Sequence, residues 1–160
     1  MKITFIQTGG TIDKDYPKTT GGWAFEIDEP AVERILEKLN PSFDFEILSA
    51  FKKDSLTIKE DDRIHLLQMI HEIKNDKIII THGTDTMRET ATFLSSISDK
   101  TIILTGAMKP ERFYNSDAPI NMGIAIGAIN VLEYGVYIAM HGIVKSHNEI
   151  KRNVDSGKYY

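Results

Sequence analysis

The stretch Lys77-Ile78-Ile79-Ile80-Thr81-His82-Gly83-Thr84-Asp85-Thr86-Met87-Arg88-Glu89-Thr90 decides the fold. Its apolar start is short, unbroken and β-branched, which reads as a strand buried on both faces. A glycine ends the run. Thr86 and Glu89 then have the spacing of a capping box, in which the hydroxyl takes one free helix amide and the carboxylate reaches back to another. Strand, turn and helix thus follow one another directly. The turn places two hydroxyls and a carboxylate at the carboxyl end of a strand, the edge where ligands sit in open α/β sheets. Thr and Asp are also ordinary helix caps, and capping is the expected role of Thr86. Thr84 and Asp85 precede the cap and are open to function.

Working outward, residues 2–7 form a β-rich run that reads as a central strand. It stops at Thr8-Gly9-Gly10-Thr11-Ile12-Asp13, where two glycines let the backbone turn sharply and approach a ligand. A phosphate cradle is one reading of that turn. The spacing fits neither the P-loop nor the dinucleotide pattern, and no lysine stands at the P-loop position. Residues 13–25 are polar, with Pro17, Gly21 and Gly22, and read as a loop long enough to be a lid. Tyr16 and Trp23 lie within it. Tyr16 is a candidate substrate contact, although packing onto the body is the commoner fate of such a ring.

Asp28-Glu29-Pro30 opens a helix with the stripe Val32, Ile35, Leu36 and Leu39, closed by Asn40-Pro41. A strand follows over residues 43–48. The next stretch, Ser49-Ala50-Phe51-Lys52-Lys53-Asp54-Ser55, reads as a loop with two cations, a carboxylate and hydroxyls. Thr57 and Glu60 have capping-box spacing before a helix expected to bury Ile64, Leu67, Ile70 and Ile73. His65 and His71 fall off that stripe and read as solvated surface. The helix after the central turn is expected to bury Met87, Ala91 and Leu94. A strand over 101–105 leads into Gly106-Ala107-Met108-Lys109-Pro110. An apolar helix over 120–132 and a strand over 136–140 follow. Residues 141–160 are polar and read as an extended arm or crossover.

Strands alternating with helices predict an α/β fold: a doubly wound, mostly parallel sheet of about five strands with flanking helices, in one domain over residues 1–160. The turns at 8–11, 82–85 and 105–107 would then meet at one sheet edge. Composition narrows the partners. The 160 residues carry a net charge of −4, which gives no support for nucleic acid or an anionic membrane. There is no cysteine, so disulfides and thiolate metal sites are excluded. No apolar run approaches the about 20 residues that span a bilayer, and the start lacks the character of a signal peptide. A cytoplasmic protein is expected.

The converging groups are hydroxyls, one carboxylate and glycine amides, without a histidine cluster or paired acids. No metal and no cofactor is called for. A threonine nucleophile with backbone amides holding the oxyanion is the natural chemistry, and it fits acyl transfer. Asp85 has the alternative of binding a substrate ammonium.

Thr8-Gly9-Gly10-Thr11-Ile12 and His82-Gly83-Thr84-Asp85-Thr86-Met87-x-Glu89-Thr90-Ala91 resemble the two signature motifs of bacterial-type L-asparaginases. Gly106-Ala107-Met108-Lys109-Pro110 and Asp117-x-Pro119-x-Asn121 add two further matches in the family's order. The resemblance runs from residue 2 to about residue 153 and covers only the family's N-terminal domain. It implies hydrolysis of asparagine, sometimes glutamine, to the acid and ammonia, without a cofactor. Thr11 would form the acyl-enzyme. Thr84 would place the water, and Asp85 would hold the α-amino group. The amides of Gly10 and Thr84 would face the oxyanion, Gly83 would line the substrate, and the Ala107 carbonyl would accept from the side-chain amide.

The sequence also departs from that family. Where members carry a serine for the substrate carboxylate, this chain has Lys52, with Asp54 and Ser55 beside it. The family's catalytic lysine aligns with Arg152, one residue after Lys151. Arginine does not deprotonate usefully. Either Lys151 serves through a one-residue slip, or Arg152 orients Asp85. Two functions follow: a single-domain amidohydrolase acting on a small amino-acid amide, and an amino-acid-binding regulatory module without turnover. In either case an open site edge favours a homo-oligomer.

Overall fold

A computed structural model describes residues 1–18 and 25–160. Strand β1 (Lys2–Gly9) runs into a 3-10 turn (Thr11–Asp13) and a short hairpin of β2 (Lys14–Asp15) with β3 (Glu26–Ile27). Then come α1 (Ala31–Leu39), β4 (Asp44–Lys53), a 3-10 turn (Ser55–Thr57), α2 (Glu60–Glu72), β5 (Lys77–Thr81) and α3 (Met87–Phe93). The chain ends with β6 (Thr101–Thr105), α4 (Ala118–Ala128), β7 (Gly135–Met140) and β8 (Ile143–Ser146). The main sheet has the order β4-β1-β5-β6-β7-β8. Its pairs are parallel except β7 with β8.

The isoleucine runs explain the layers. Successive strand side chains point to opposite faces. Ile78 and Ile80 enter the core under α2 and α3, with Leu66, Ile70 and Met87. Ile79 enters the opposite core under α1 and α4, with Val32, Leu36 and Met122. Ile102 and Leu104 divide from Ile103 in the same way. Both faces are therefore covered, and the strand ends are left to carry a site.

Several expectations need correction. β8 is an additional strand. Met140 pairs with Ile143 across a two-residue loop, and both loop residues, His141 and Gly142, have positive φ, at 54° and 85°. That is the twist a tight antiparallel hairpin requires. The rest of the expected arm also folds back. Lys151 and Tyr160 exchange both backbone hydrogen bonds at 2.9 Å, and Arg152 bridges Tyr159. Ile150 and Tyr159 are buried in the α2–α3 core, which anchors this hairpin.

β4 does not end at Leu48. The pairing slips between Gln7 and Gly9, so Gly9 lies opposite Lys53, and Lys52 and Lys53 belong to the strand. On α2 the buried residues are Leu66 and Ile70, with Ile73 buried just beyond its end and Ile64 exposed. At about 100° per residue, Ile64 stands about 120° around the helix from Ile70. Leu39 is exposed at the end of α1. Neither expected capping box forms. The Thr57 hydroxyl donates to the Asp54 carbonyl, and Asp62 accepts from Lys59 N. Thr86 Oγ1 donates to the Ser55 carbonyl at 2.8 Å instead of capping α3. Among the described residues, no helix is long and apolar enough to cross a membrane.

Candidate active site

β1, β5 and β6 end at the same edge, and their turns touch. Gly10 has φ 84°, a conformation favouring glycine. A Cβ on Gly10 would lie 2.4 Å from both Cα and N of Gly83. A Cβ on Gly83 would lie 2.7 Å from the Ser55 Cβ and Oγ. Contact this close is possible only for bare backbone. Gly10 N donates to the Lys53 carbonyl at 3.0 Å, which ties in β4. His82 N donates to the Thr105 carbonyl at 2.9 Å, which ties in β6. Thr11 and Thr84 each follow one of the two touching glycines, and both are half-buried.

A buried hydrogen-bond frame holds this junction. Thr8 Oγ1 donates to the Thr81 carbonyl at 2.7 Å. Thr81 Oγ1 donates to Asp13 Oδ2 at 3.1 Å, and Ala31 N donates to Asp13 Oδ1 at 2.8 Å. Asp13 thereby caps α1, whose own N-cap residue Pro30 offers no side-chain acceptor. Burial pushes the Asp13 carboxyl up to about 6.

His82 is also fully buried. Its Nδ1 lies 2.8 Å from the Gly83 carbonyl and its Nε2 2.8 Å from Thr90 Oγ1. Arg63 Nε donates to the same hydroxyl at 3.0 Å. Thr90 therefore donates to Nε2, and Nδ1–H donates to Gly83. Burial pushes the imidazole down to about 4, so it is neutral at pH 7.

The sequence-predicted residues divide into two groups. Thr11, Gly10, Gly83, Thr84 and Ser55 come together as described. Asp85 joins them, because its backbone N donates to Ser55 Oγ at 3.3 Å. Ala107 is buried in the turn after β6. Asp117 holds that turn by accepting from Met108 N and Lys109 N, and Asn121 Nδ2 donates to the Gly106 carbonyl. Arg152 Nη2 donates to Asp85 Oδ1 at 3.0 Å. Lys151 is exposed and adjoins Arg152 in the bridge, so its side chain leaves from the other face. Lys52 pairs with Glu29 at 3.5 Å, and Asp54 with Lys14 at 2.9 Å. Tyr16 is 67% exposed and packs edge-on against Phe25, which packs against Phe113. Trp23 and the middle of the expected lid lie outside the described residues.

Two participants escaped sequence reasoning. Asp13 comes three residues after Gly10, but an acid near a turn gives no sign of complete burial. Tyr159 donates its hydroxyl to the Thr84 carbonyl at 2.5 Å, and burial raises that phenol to about 12, so it stays a donor. Hollows of about 690 Å³ beside Lys2 and Met69 and about 490 Å³ beside Arg34 and Glu111 lie elsewhere. Neither is lined by Thr11, Thr84 or Asp85. Converging polar groups, rather than volume, mark the candidate site.

Residues 2–157 match the family described as asparaginase, N-terminal. The chain is 24% identical to the glutaminase-asparaginase of Acinetobacter glutaminasificans, over 96% of this chain and 50% of the relative. It is 29% identical to L-asparaginase 2 of Bacillus subtilis, over 78% of this chain and 36% of the relative. The thermostable L-asparaginase from Thermococcus kodakarensis superposes with a TM-score of 0.80 at 27% identity, over 95% of this chain and 48% of that one. The chain thus spans half or less of the length of these relatives.

Proposed function

Because the chain belongs to the asparaginase family, through that family's N-terminal domain, we propose that it hydrolyses a small carboxamide to the acid and ammonia, with L-asparagine as the reference substrate. Thr11 Oγ attacks the amide carbon, its hydroxyl proton passes to the amide nitrogen, and the C–N bond breaks to release ammonia. Water delivered beside Thr84 then cleaves the threonine ester. The amides of Gly10 and Thr84 carry the oxyanion. The Ala107 carbonyl accepts from the departing amide nitrogen, and Gly83 forms the wall between the two turns. Lys52, Asp54, Ser55 and Tyr16 are the proposed contacts to the rest of the substrate.

The contact between Gly10 and Gly83 carries this reading, since it sets the two threonine turns side by side. Ammonia release from L-asparagine by the purified protein, compared with Thr11→Ala, tests it. If wild type and variant release the same trace, the hydrolase reading fails.

Arg152 favours a second reading. Its guanidinium cannot act as a base, and the neighbouring Lys151 is turned away. A site that binds an amino acid without turnover would keep the geometry and lose the activation step. Thermal stabilisation by L-aspartate without ammonia release would select that reading. In both cases the protein works in the cytoplasm as a homo-oligomer that covers the open edge. A light-scattering mass equal to one chain of 18.1 kDa would contradict the assembly.

A further inference from the structure

β4 is a free margin of the main sheet, bonded to β1 on one side only. It has ten residues, and none of them is buried, whereas β1 and β5 are buried over nearly their whole length. Its outer rim carries open main-chain groups. Asp44 N donates to the Met1 carbonyl at 3.0 Å. Alternate residues of a parallel strand serve the same neighbour, so Asp44, Glu46 and Leu48 face β1. Phe45, Ile47 and Ser49 turn their N–H and C=O groups outward. Among the described residues, those groups have no main-chain partner.

An uncovered rim of this length is a template for another strand, and its flanks show what that strand must carry. On the α1 side, Phe45 and Ile47 line a hollow of about 510 Å³ with Glu33, Glu37 and Asn40. On the α2 side, Glu46 and Leu48 line the hollow of about 690 Å³ with Met69, Glu72 and Ile73. An added strand projects alternate side chains to the two sides, so each hollow receives every second residue. Among the described residues, Glu33, Glu37, Asp44 and Glu72 take part in no ion pair. No cation lines the α1-side hollow. On the α2 side Lys2 is paired with Glu46 at 2.9 Å, which leaves Lys74 against Glu72 and Asp44.

We propose that the β4 rim binds an extended segment of another protein by strand addition, and that this segment alternates basic with aliphatic residues. The basic side chains go to Glu33 and Glu37, and the aliphatic ones to Leu48, Met69 and Ile73. The main chain of the segment pairs with Phe45, Ile47 and Ser49, which supplies affinity, while the two hollows supply specificity. This surface occupies the first half of β4. The threonine turns adjoin its last residue, Lys53, whose carbonyl accepts from Gly10 N. The inference is therefore independent of the amidase reading.

The full chain is titrated against a capped peptide of repeated Lys-Val units, with binding followed by fluorescence anisotropy. One control is a block peptide of equal charge, with every lysine ahead of every valine. The other is the repeat peptide methylated on each backbone amide. Affinity for the repeat peptide is expected about tenfold or more above either control, the worth of one or two main-chain bonds. Glu33→Gln combined with Glu37→Gln, both at exposed positions, should weaken it about fivefold. Equal affinity for repeat and block peptides would reduce the contact to net charge and overturn the inference. Undiminished binding of the methylated peptide, or by the double variant, overturns it as well, and so does the absence of binding. A wild-type dimer that Phe45→Lys disperses would give the rim to a second copy and overturn the foreign segment.

Discussion

Gly10 and Gly83 meet back to back, with 2.4 Å separating Gly83 Cα from the place a Cβ on Gly10 would occupy. The three atoms nearest that place are all backbone, which cannot swing aside as a flexible side chain can. Gly10→Ala adds this clash to the strain of a positive φ. The expected loss is about 2–4 kcal/mol of stability, read as a lower urea midpoint, together with loss of any amidase activity. Gly123 in α4 has open space around the same position, so Gly123→Ala should keep or raise stability. A Gly10→Ala protein with the wild-type midpoint would show that the turns do not depend on this contact.

Asp13 and His82 predict opposing pH dependences within one window. Burial raises Asp13 from 3.8 to about 6. The folded state therefore holds that proton more tightly, and stability falls as pH rises from about 4 to 6. His82 is lowered from 6.5 to about 4. The folded state resists that proton, and stability rises as pH climbs from 4 to 6.5. Each contribution is of the order of 3 kcal/mol, so the two largely cancel in the wild type. Asp13→Asn should expose a slope of increasing stability with pH between 4 and 6.5. His82→Gln should expose the opposite slope. Urea denaturation at several pH values reads both. Parallel profiles for all three proteins would mean that neither group is perturbed by burial.

The pH pair shows where sequence reading stops. The layers are legible because the runs around Ile79 and Ile103 are apolar without interruption, which only a sheet covered on both faces requires. The touching turns are legible from glycines placed directly after strands. Burial of Asp13 is not legible, because acids are seldom fully buried and the partners Thr81 and Ala31 are remote in sequence. The last hairpin is hidden for a related reason. His141-Gly142 lacks the asparagine that usually marks such a turn. The choice between Lys151 and Arg152 depends on which of them lies opposite Tyr159, and only the fold-back sets that register.

Thr90 tests the buried relay. Its hydroxyl accepts from Arg63 and donates to His82 Nε2. Thr90→Val keeps the shape and leaves a buried ring nitrogen without a partner, at a cost of about 1–3 kcal/mol. Thr90→Ser keeps the hydroxyl and should lose less than about 1 kcal/mol by the same reasoning. Equal effects of the two substitutions would assign the loss to packing instead.

Tyr159 supplies the contact between the C-terminal hairpin and the second threonine turn. Tyr159→Phe removes only the hydroxyl that donates to the Thr84 carbonyl. The ring stays in the core with Ile150, and its face stays beside Arg152. A small stability loss of about 1 kcal/mol is expected, the ordinary worth of one such bond. The larger effect falls on the Thr84 turn, whose backbone loses a fixed donor behind the proposed water and oxyanion positions. Amide exchange at Thr84 and Asp85 should therefore accelerate more than exchange in β5. Under the proposed mechanism, kcat should fall more than KM rises. Uniform acceleration across β5 and the turn would make Tyr159 a general stabiliser with no special hold on the site.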